Sequence, residues 1–532
     1  MAEPQSTAAN PAPATAPAAA PAAAATPVSP LAAALSVTPT AAAAPTQTLE
    51  DYIRLASQAG ARSARDVILT IRGWIANLDD RLSAQVNEIL HTPEFQRLEA
   101  AWRGLQYLVA QTDKDASVRI RTLNISKRDL FRDLDRAVEF DQSQLFKKVY
   151  EEGFGQIGGE PFGLLIGDFA FDRSAEDISC LKKLSGLAAA AHAPFVGNAN
   201  PGLMNMDSWT ELMQPRDLSR IFDSEEYASW NSFRKSEDSR YVALALPRVL
   251  ARRPYGEGGA IVRRFFFEEH VDGQDTSKCL WMHASWVYAA RVVDAFAQWG
   301  WLARTRGIEG GGLVENLPVH TFATDAEGVA VKAPTEVLLS DRREFELSAL
   351  GFLPLLHIKG TDQAVFMGAQ SFQKPQVYHS PEATANAELS TKFNYILNVA
   401  RFAHYVKVMA RDKTGTQITP GEAAEWLNKW IEQYVTPDPT TVSEEKRAKQ
   451  PLAEARIEVR EAKGKPGFFE AGHLLRPHYQ LGALSAAVRL TTGVPQPKSQ
   501  RTGGESGRPR PFVANPAPGK RSAEKPKKTN WL

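Results

Sequence analysis

The segment Thr92-Pro93-Glu94-Phe95-Gln96-Arg97-Leu98-Glu99-Ala100-Ala101-Trp102-Arg103-Gly104-Leu105-Gln106-Tyr107-Leu108-Val109 has the pattern of an amphipathic helix. Thr92 can cap this helix and Pro93 suits its first turn. Apolar side chains recur every three or four residues along one face, at Phe95, Leu98, Trp102, Leu105 and Leu108. Glu99 and Arg103 lie on the other face, in the order that favours a weak helical ion pair. We therefore predict a packing helix over residues 92–109.

Helices and strands alternate on both sides of this segment. Residues 48–90 predict helix, broken around Gly60, with an apolar stripe at Ile68, Ile71, Ile75 and Leu78. Residues 118–121 alternate like a half-buried strand, and helix and strand then alternate to residue 195. Strand-like runs lie between residues 331 and 372, and helices return at 385–409 and 422–434. This order predicts an α/β (α+β) fold.

The length of 532 residues exceeds the size at which one hydrophobic core usually stops growing, so we expect several domains. Residues 1–46 are mostly Ala, Pro and Thr with a single charged residue, which predicts a disordered arm. Residues 493–532 are rich in Gly, Pro and basic residues and predict a disordered tail. Between them we predict an N-terminal region over residues 47–375 and a C-terminal region over residues 376–492.

Composition argues against several classes of protein. Cys180 and Cys279 are the only cysteines, so the chain offers neither a zinc pattern nor a disulfide framework. No apolar run approaches the roughly 18 residues that span a bilayer. The N-terminus lacks the basic leader of a secretory signal. We predict a cytoplasmic protein without membrane insertion.

The segment 92–109 resembles a signature near the start of the large sheath subunit of bacterial type VI secretion systems, the TssC or VipB family. The resemblance continues in order over about residues 50–492. It includes a strand–helix–strand unit at 161–169 and 184–195, a loop and strand at 230–256, a tryptophan-rich helix at 281–301, and C-terminal strands at 465–490. It implies a multidomain, contractile tail-sheath-like fold and a structural role, with no catalytic residue, cofactor or metal site.

The resemblance also implies a set of partners. This subunit would pair with a small sheath subunit of TssB/VipA type, and the heterodimers would stack with neighbouring large subunits into a helical tube. The tube would start at a baseplate, surround an Hcp-like inner tube and contract to propel it for effector delivery. An open helical array requires two different complementary faces on each subunit. No nucleic acid partner is expected.

In the family, a ClpV-like AAA+ ATPase engages a short helix near the N-terminus of the large subunit and takes the contracted sheath apart. Residues 27–37 offer only a weak apolar segment amid Ala and Pro at that place. Recognition of this chain by such an ATPase would therefore use another site or an atypical mode.

A β-hairpin is predicted near the C-terminus, where residues 457–461 alternate apolar and charged side chains and Pro466-Gly467 suits a type II turn. Few neighbouring segments of the sequence are obvious candidates to pack against this hairpin. The resemblance implies that such strands are exchanged between neighbouring subunits, and the residues predicted to take part are Ile457, Val459, Glu461, Phe468, Phe469, Leu474 and Leu475. The residues predicted to pack in the family signature are Phe95, Leu98, Trp102 and Leu105.

Two alternative functions compete with the sheath hypothesis. Gly153, Gly155 and Gly158 have the GxGxxG spacing of a dinucleotide-binding loop, so one alternative is a nucleotide-binding enzyme. However, a helical pattern precedes these glycines and a strand follows them, which is the reverse of the required order. The other alternative is a noncontractile, phage-like tail component with the same fold. Asp168, Asp172, Glu176 and Asp177 follow a strand and could bind magnesium, but capping and loop roles suit them better.

Overall fold

A computed structural model describes residues 49–478 apart from short gaps. The gaps are residues 59–62, 138, 215, 257–258, 260–261, 264, 272–274, 324–328, 437, 439–441 and 462–468. The described residues belong to a unit that spans residues 1–479, and a second unit, residues 480–532, lies outside them. The arm at 1–46 and the tail at 493–532 thus lie outside the described residues. The division between residues 375 and 376 stays a prediction.

Helices form most of the regular structure. The α-helices α1 to α14 span, in chain order, Leu49–Gln58, Ala64–Leu90, Pro93–Gln111, Lys127–Arg136, Gln144–Phe146, Ala175–Ala191, Leu218–Phe222, Ala228–Arg234, Ala284–Trp299, Asp341–Ala349, Pro381–Ser390, Phe393–Asp412, Pro420–Ile431 and Glu444–Lys449. Short 3-10 helices cover Phe140–Gln142, Pro201–Met204, Trp209–Met213, Glu225–Tyr227, Asp238–Tyr241, Thr276–Lys278 and Glu432–Tyr434, and π-helices cover Lys147–Gly155 and Ile308–Gly312.

The strands form several small sheets. Strands β1 to β13 span, in chain order, Leu165–Phe171, Phe195–Ala199, Val242–Leu246, Val249–Leu250, Trp281–Met282, Leu313–Val314, His320–Ala323, Val329–Lys332, Leu353–Pro354, Leu356–His357, Ala364–Val365, Leu452–Glu461 and Phe469–Pro477. The largest sheet is parallel, in the order β1-β2-β3-β9. A three-stranded sheet has the order β10-β11-β6, and the pairs β4-β5, β7-β8 and β12-β13 are antiparallel.

The parallel sheet is covered on both faces, as sheets of this kind require. Strand β3 is buried along its whole length, and its alternate residues enter different clusters. Leu244 packs in the cluster that contains Leu181 of helix α6, whereas Ala243 and Ala245 pack in the cluster that contains Val287 of helix α9. This two-sided packing of helices on a parallel sheet confirms the predicted α/β (α+β) class.

The tryptophan-rich segment supplies the buried helix α9, which ends at Gly300 with φ of +76°. A left-handed residue at the end of a helix favours glycine because it has no Cβ. Trp301 then stacks on Phe402 of helix α12, with 4.0 Å between the ring centroids. These two side chains belong to a third hydrophobic cluster, which also includes Leu427 of helix α13 and Ile457 of strand β12.

Local sequence signals set some of the helix ends. Ser63 and Asp66 form a capping box at the start of α2, because each side chain bonds to the backbone N–H of the other residue. Thr92 precedes α3 in an extended conformation, but its hydroxyl donates to the carbonyl of Glu88 at 2.9 Å instead of capping α3. Thr92 is thus the N-cap residue of α3, as predicted, but its side chain forms no capping hydrogen bond.

The predicted strand at residues 118–121 is not formed. Arg119 and Arg121 instead pair with Glu160, and Ile120 packs beside Leu108. The ammonium group of Lys127, which lies just after this segment in the sequence, donates to the carbonyl of Ala170 in strand β1 at 2.8 Å. The alternating pattern thus marks a half-buried segment without a backbone ladder.

Candidate assembly surfaces

Helix α2 exposes most of its apolar stripe on the described part of the chain. Ile68 and Ile75 are each 52% exposed and Leu78 is 54% exposed, whereas the buried residues of the helix are Ser83 and Asn87. A helix that serves only the core of its own chain has the opposite arrangement. Of the four residues of the predicted stripe, Ile71 is half-buried, and the described part of this chain leaves the other three exposed.

The polar face of α2 is built to hold an extended segment of the body. The side-chain amide of Asn87 donates to the carbonyl of Glu268 and accepts from the N–H of His270, each at 3.0 Å. One turn earlier in α2, the hydroxyl of Ser83 donates to the carbonyl of Phe266. Two turns earlier, the carboxylate of Asp79 accepts from the N–H of Phe266. These bonds fix which face of α2 points inwards.

A buried ion cluster fixes helix α3 to the same region. Arg252 bonds both carboxylate oxygens of Glu99, at 2.7 and 3.1 Å, and both oxygens of Glu269, at 2.6 and 3.3 Å. Burial alone would lower the pKa of Arg252, but the hydrogen bonds and charges of the two carboxylates outweigh it and raise that pKa. The guanidinium is thus held charged between α3 and the segment that α2 also binds.

The buried residues of helix α3 are Gly104 and Leu108, and the family-signature residues divide into two groups. Gly104 lies against Trp286 of α9, and Leu108 is buried beside it. Phe95 and Leu105 are half-buried. Leu98 and Trp102 are 52% and 65% exposed, so these two side chains do not pack into the core of this chain.

Together α2 and α3 carry a set of large exposed apolar side chains, which we call the N-terminal apolar surface. Its members are Ile68, Leu69, Ile75, Leu78, Leu82, Ile89, Leu98, Trp102 and Val109. Monomeric soluble proteins rarely expose apolar residues in such density, and surfaces of this kind mark contacts with a partner. None of the helices within the described ranges is long and apolar enough to cross a membrane.

The predicted hairpin is present as strands β12 and β13. Ile457 lies opposite His473, Val459 opposite Ala471 and Glu461 opposite Phe469. Ile457 is buried against helix α13 and the aromatic cluster, so the expectation of few local covers is wrong. Val459 and Leu475 also pack against that cluster, whereas Leu474 is 61% exposed on the other face. Phe468 and the turn at 466–467 lie outside the described residues.

Asn428 of helix α13 is a structural residue that no pattern in the sequence indicates. Its side-chain amide donates to the carbonyl of Ile457 at 2.8 Å and accepts from the N–H of Ile457 at 2.9 Å. It occupies the outer edge of β12 as a neighbouring strand would. The contact joins positions 29 residues apart, and no periodicity signals such a contact.

The competing enzymatic motifs do not converge on a site. Gly153 and Gly155 end a π-helix, and strand β1 begins only at residue 165, so the order is the reverse of a dinucleotide-binding loop. Asp168 is already bonded to His283 at 2.7 Å and to the indole N–H of Trp286 at 2.9 Å. Within the residues that the structure describes, no cluster of three or more His, Cys, Asp or Glu could hold a metal ion.

Two protein-family models match this chain. The family model VipB, described as the EvpB/VC_A0108 tail sheath N-terminal domain, matches residues 72–373. A second model, VipB_2, described as the tail sheath gpW/gp25-like domain of the same proteins, matches residues 382–494. Together the two models cover the parallel sheet and the C-terminal hairpin, whereas helix α1 and the first turns of α2 lie before the matched residues.

A curated relative gives the same result. The chain is 49% identical over 437 residues to the type VI secretion system sheath protein TssC1 of Pseudomonas aeruginosa strain PAO1, a match that covers 82% of this chain and 88% of the relative. Two solved assemblies of the anti-feeding prophage have weaker likeness. Its baseplate aligns at 10% identity with a TM-score of 0.35, covering 71% of this chain and 84% of that chain. Its contracted helical sheath aligns at 11% identity with a TM-score of 0.29, covering 59% and 67%.

Proposed function

The chain belongs to the VipB family of tail sheath proteins and is a structural subunit of a type VI secretion contractile sheath, and we propose that it pairs with a smaller sheath subunit through its N-terminal apolar surface. The observation that carries this proposal is the outward apolar stripe of α2, whose buried residues are the polar Ser83 and Asn87. The polar face is bonded to the body, so the apolar face is left for another chain.

The dimensions and chemistry of the surface specify the partner. A helix of 27 residues is about 40 Å long, enough for a partner helix to pack along it over several turns. Apolar residues at Ile75, Leu78 and Leu82 recur at the spacing by which one helix packs on another. The small subunit should therefore bring at least one long helix with an apolar face.

The resulting heterodimers would form the tube. Strands β12 and β13 would pair with strands of neighbouring subunits, as predicted for Ile457, Val459, Glu461 and the β13 residues, and would keep the sheath connected as it contracts. The tube would assemble in the cytoplasm on a baseplate, enclose an Hcp-like inner tube and be recycled by a ClpV-like ATPase. Contraction would proceed without nucleotide at this subunit, through two alternative packings of the same interfaces.

Neither alternative function gains support. The glycine loop lacks the order of elements that a dinucleotide needs, and the family is one of structural proteins. A phage-like tail component is less consistent with a relative that is itself a type VI sheath protein.

A matched pair of substitutions in α2 tests the proposed heterodimer. Leu78→Asp places a charge in the apolar stripe, and Asn77→Asp places the same charge one residue away, outside that stripe. Each variant is co-expressed with an affinity-tagged small sheath subunit, and the amount of large subunit recovered is measured. We expect Leu78→Asp to reduce recovery at least tenfold and Asn77→Asp to leave it within twofold.

The outcome separates loss of binding from loss of fold. Hydrogen exchange of the parallel sheet in each variant reports the fold of the body independently of the partner. Equal recovery of the two variants, with both bodies folded, would contradict the proposed interface.

A further inference from the structure

One polar residue interrupts the apolar repeat on the outward face of helix α2. Residues on this face are separated by three and four positions in turn, which is the spacing of a helix that packs lengthwise on another helix. We call this set the α2 seam, and it consists of Ile68, Ile71, Ile75, Leu78, Leu82, Gln85 and Ile89. Gln85 is its single polar member.

Gln85 lies inside the seam and does not mark its end. Leu82 on one side is 46% exposed and Ile89 on the other side is 51% exposed, and Gln85 between them is exposed as well. A partner helix that covers Leu82 and Ile89 must therefore also cover Gln85. Burial of an amide without a hydrogen-bond partner opposes binding, so the partner has to supply a group that bonds it.

The apolar residues of the seam alone leave the register of a partner helix ambiguous. A slip of seven residues, about 10 Å along the axis, brings equivalent apolar residues into contact again. Helix α2 itself is fixed to the body on both sides of Gln85, because Ser83 bonds the carbonyl of Phe266 and Asn87 bonds that of Glu268. A slip would thus displace the partner relative to the body. A single polar residue in an apolar seam removes this ambiguity.

We propose that Gln85 is a specificity-determining residue of the heterodimer, and that the facing residue of the small subunit bonds it through an uncharged amide or hydroxyl. This inference rests on the proposed function, since it requires the small subunit to pack on α2. A buried charge would cost more than a neutral group at that place. Small subunits with an apolar facing residue are rejected, because they leave the amide of Gln85 without a partner.

The sign of one substitution tests the proposal. Gln85→Leu leaves a polar facing residue buried and unbonded and so weakens binding, whereas it strengthens binding to an apolar facing residue. Full-length wild-type and variant chains are co-expressed with a limiting amount of tagged small subunit, and their recovered ratio is measured by mass spectrometry. We expect at least fivefold more wild type than Gln85→Leu. Asn77→Leu is the matched control, because it adds the same side chain outside the seam, and it should compete within twofold of wild type.

A rescue experiment identifies the facing residue. Gln85→Cys is combined with single cysteines along the helix of the small subunit, and the strongest disulfide marks the facing position. The native Cys180 and Cys279 are buried, which keeps the background low. Replacement of both partners of a buried hydrogen bond by apolar groups is nearly neutral. Gln85→Leu combined with leucine at the facing position should therefore restore recovery to within twofold of wild type or above it.

The outcomes separate this inference from the proposed function. Recovery of Gln85→Leu equal to or above wild type, or an apolar residue at the cross-linked position, would overturn the role of Gln85. If Leu78→Asp still binds the small subunit, the heterodimer interface itself is wrong. Loss of binding in Leu78→Asp together with full recovery of Gln85→Leu would overturn the inference alone. Hydrogen exchange of the parallel sheet verifies that each variant is folded.

Discussion

Gly104 and Trp286 are in direct contact where helix α3 crosses helix α9, and a Cβ added to Gly104 would clash with Cδ1 of the indole. The indole cannot easily move, because its N–H donates to Asp168 at 2.9 Å and the same carboxylate is bonded to His283. This close approach lets α3 pack on the body through a glycine while Trp102 faces outwards.

We therefore predict that Gly104→Ala destabilises the docked position of α3. Overpacking of this kind costs about 1–3 kcal/mol, offset by at most about 1 kcal/mol from the higher helix propensity of alanine. Gly73→Ala in helix α2 is the control, because an added Cβ there meets nothing within 4 Å. Urea unfolding of the co-purified complex should place the midpoint of Gly104→Ala below wild type and that of Gly73→Ala at or above it.

A second prediction concerns the ion cluster of Arg252. Arg252→Met leaves Glu99 and Glu269 without their shared partner, and the side chain of Glu269 is only 2% exposed. Removal of one partner from a buried ion pair costs about 3–5 kcal/mol, so we expect α3 to detach and become open to limited proteolysis.

Arg103→Met is the control for that substitution. Arg103 also pairs with Glu99, but its side chain is 33% exposed, and such pairs contribute at most about 1 kcal/mol. Equal protease resistance of the two variants would contradict the anchoring role of Arg252.

The buried His404 predicts how stability depends on pH. Burial lowers the pKa of His404 from 6.5 to about 4, although the hydrogen bond from its Nε2–H to the carbonyl of Ala191 acts in the other direction. The unfolded chain takes up this proton near pH 6.5, but the folded chain does so only near pH 4. The contribution to stability is therefore present above pH 6.5 and is lost as the pH falls to 4, by about 3 kcal/mol in all.

His404→Gln removes this titration and keeps a donor that can reach the carbonyl of Ala191. The difference in unfolding free energy between pH 7 and pH 4.5 should thus be smaller in the variant than in the wild type, as measured by urea unfolding. His320, His357 and His478, whose pKa values are also lowered by burial, contribute equally to both proteins. An unchanged pH dependence would show that His404 does not carry it.

The sequence predicted the helix over residues 92–109 and the hairpin that begins at β12, because both have clear apolar periodicity. Periodicity does not distinguish a face that packs on its own chain from one that packs on a partner. It therefore could not predict that Leu98 and Trp102 are exposed while Gly104 makes the closest contact.

The hydrogen bonds that orient helix α2 and strand β12 could not be predicted from the sequence, because they join residues far apart in the chain. Asn87 binds a segment about 180 residues away, and Asn428 binds Ile457 across the helix–strand connection. An asparagine in a helix is equally consistent with a solvent-exposed position. Only the spacing of Asp79, Ser83 and Asn87, each four residues apart, could have indicated a polar face on α2.

Electron microscopy of the full-length chain co-expressed with its small sheath subunit tests the central claim most directly. We predict hollow helical tubes in the wild type and in Asn77→Asp, and none in Leu78→Asp. A well-folded, monodisperse monomer that ignores the small subunit and forms no tubes would contradict the account.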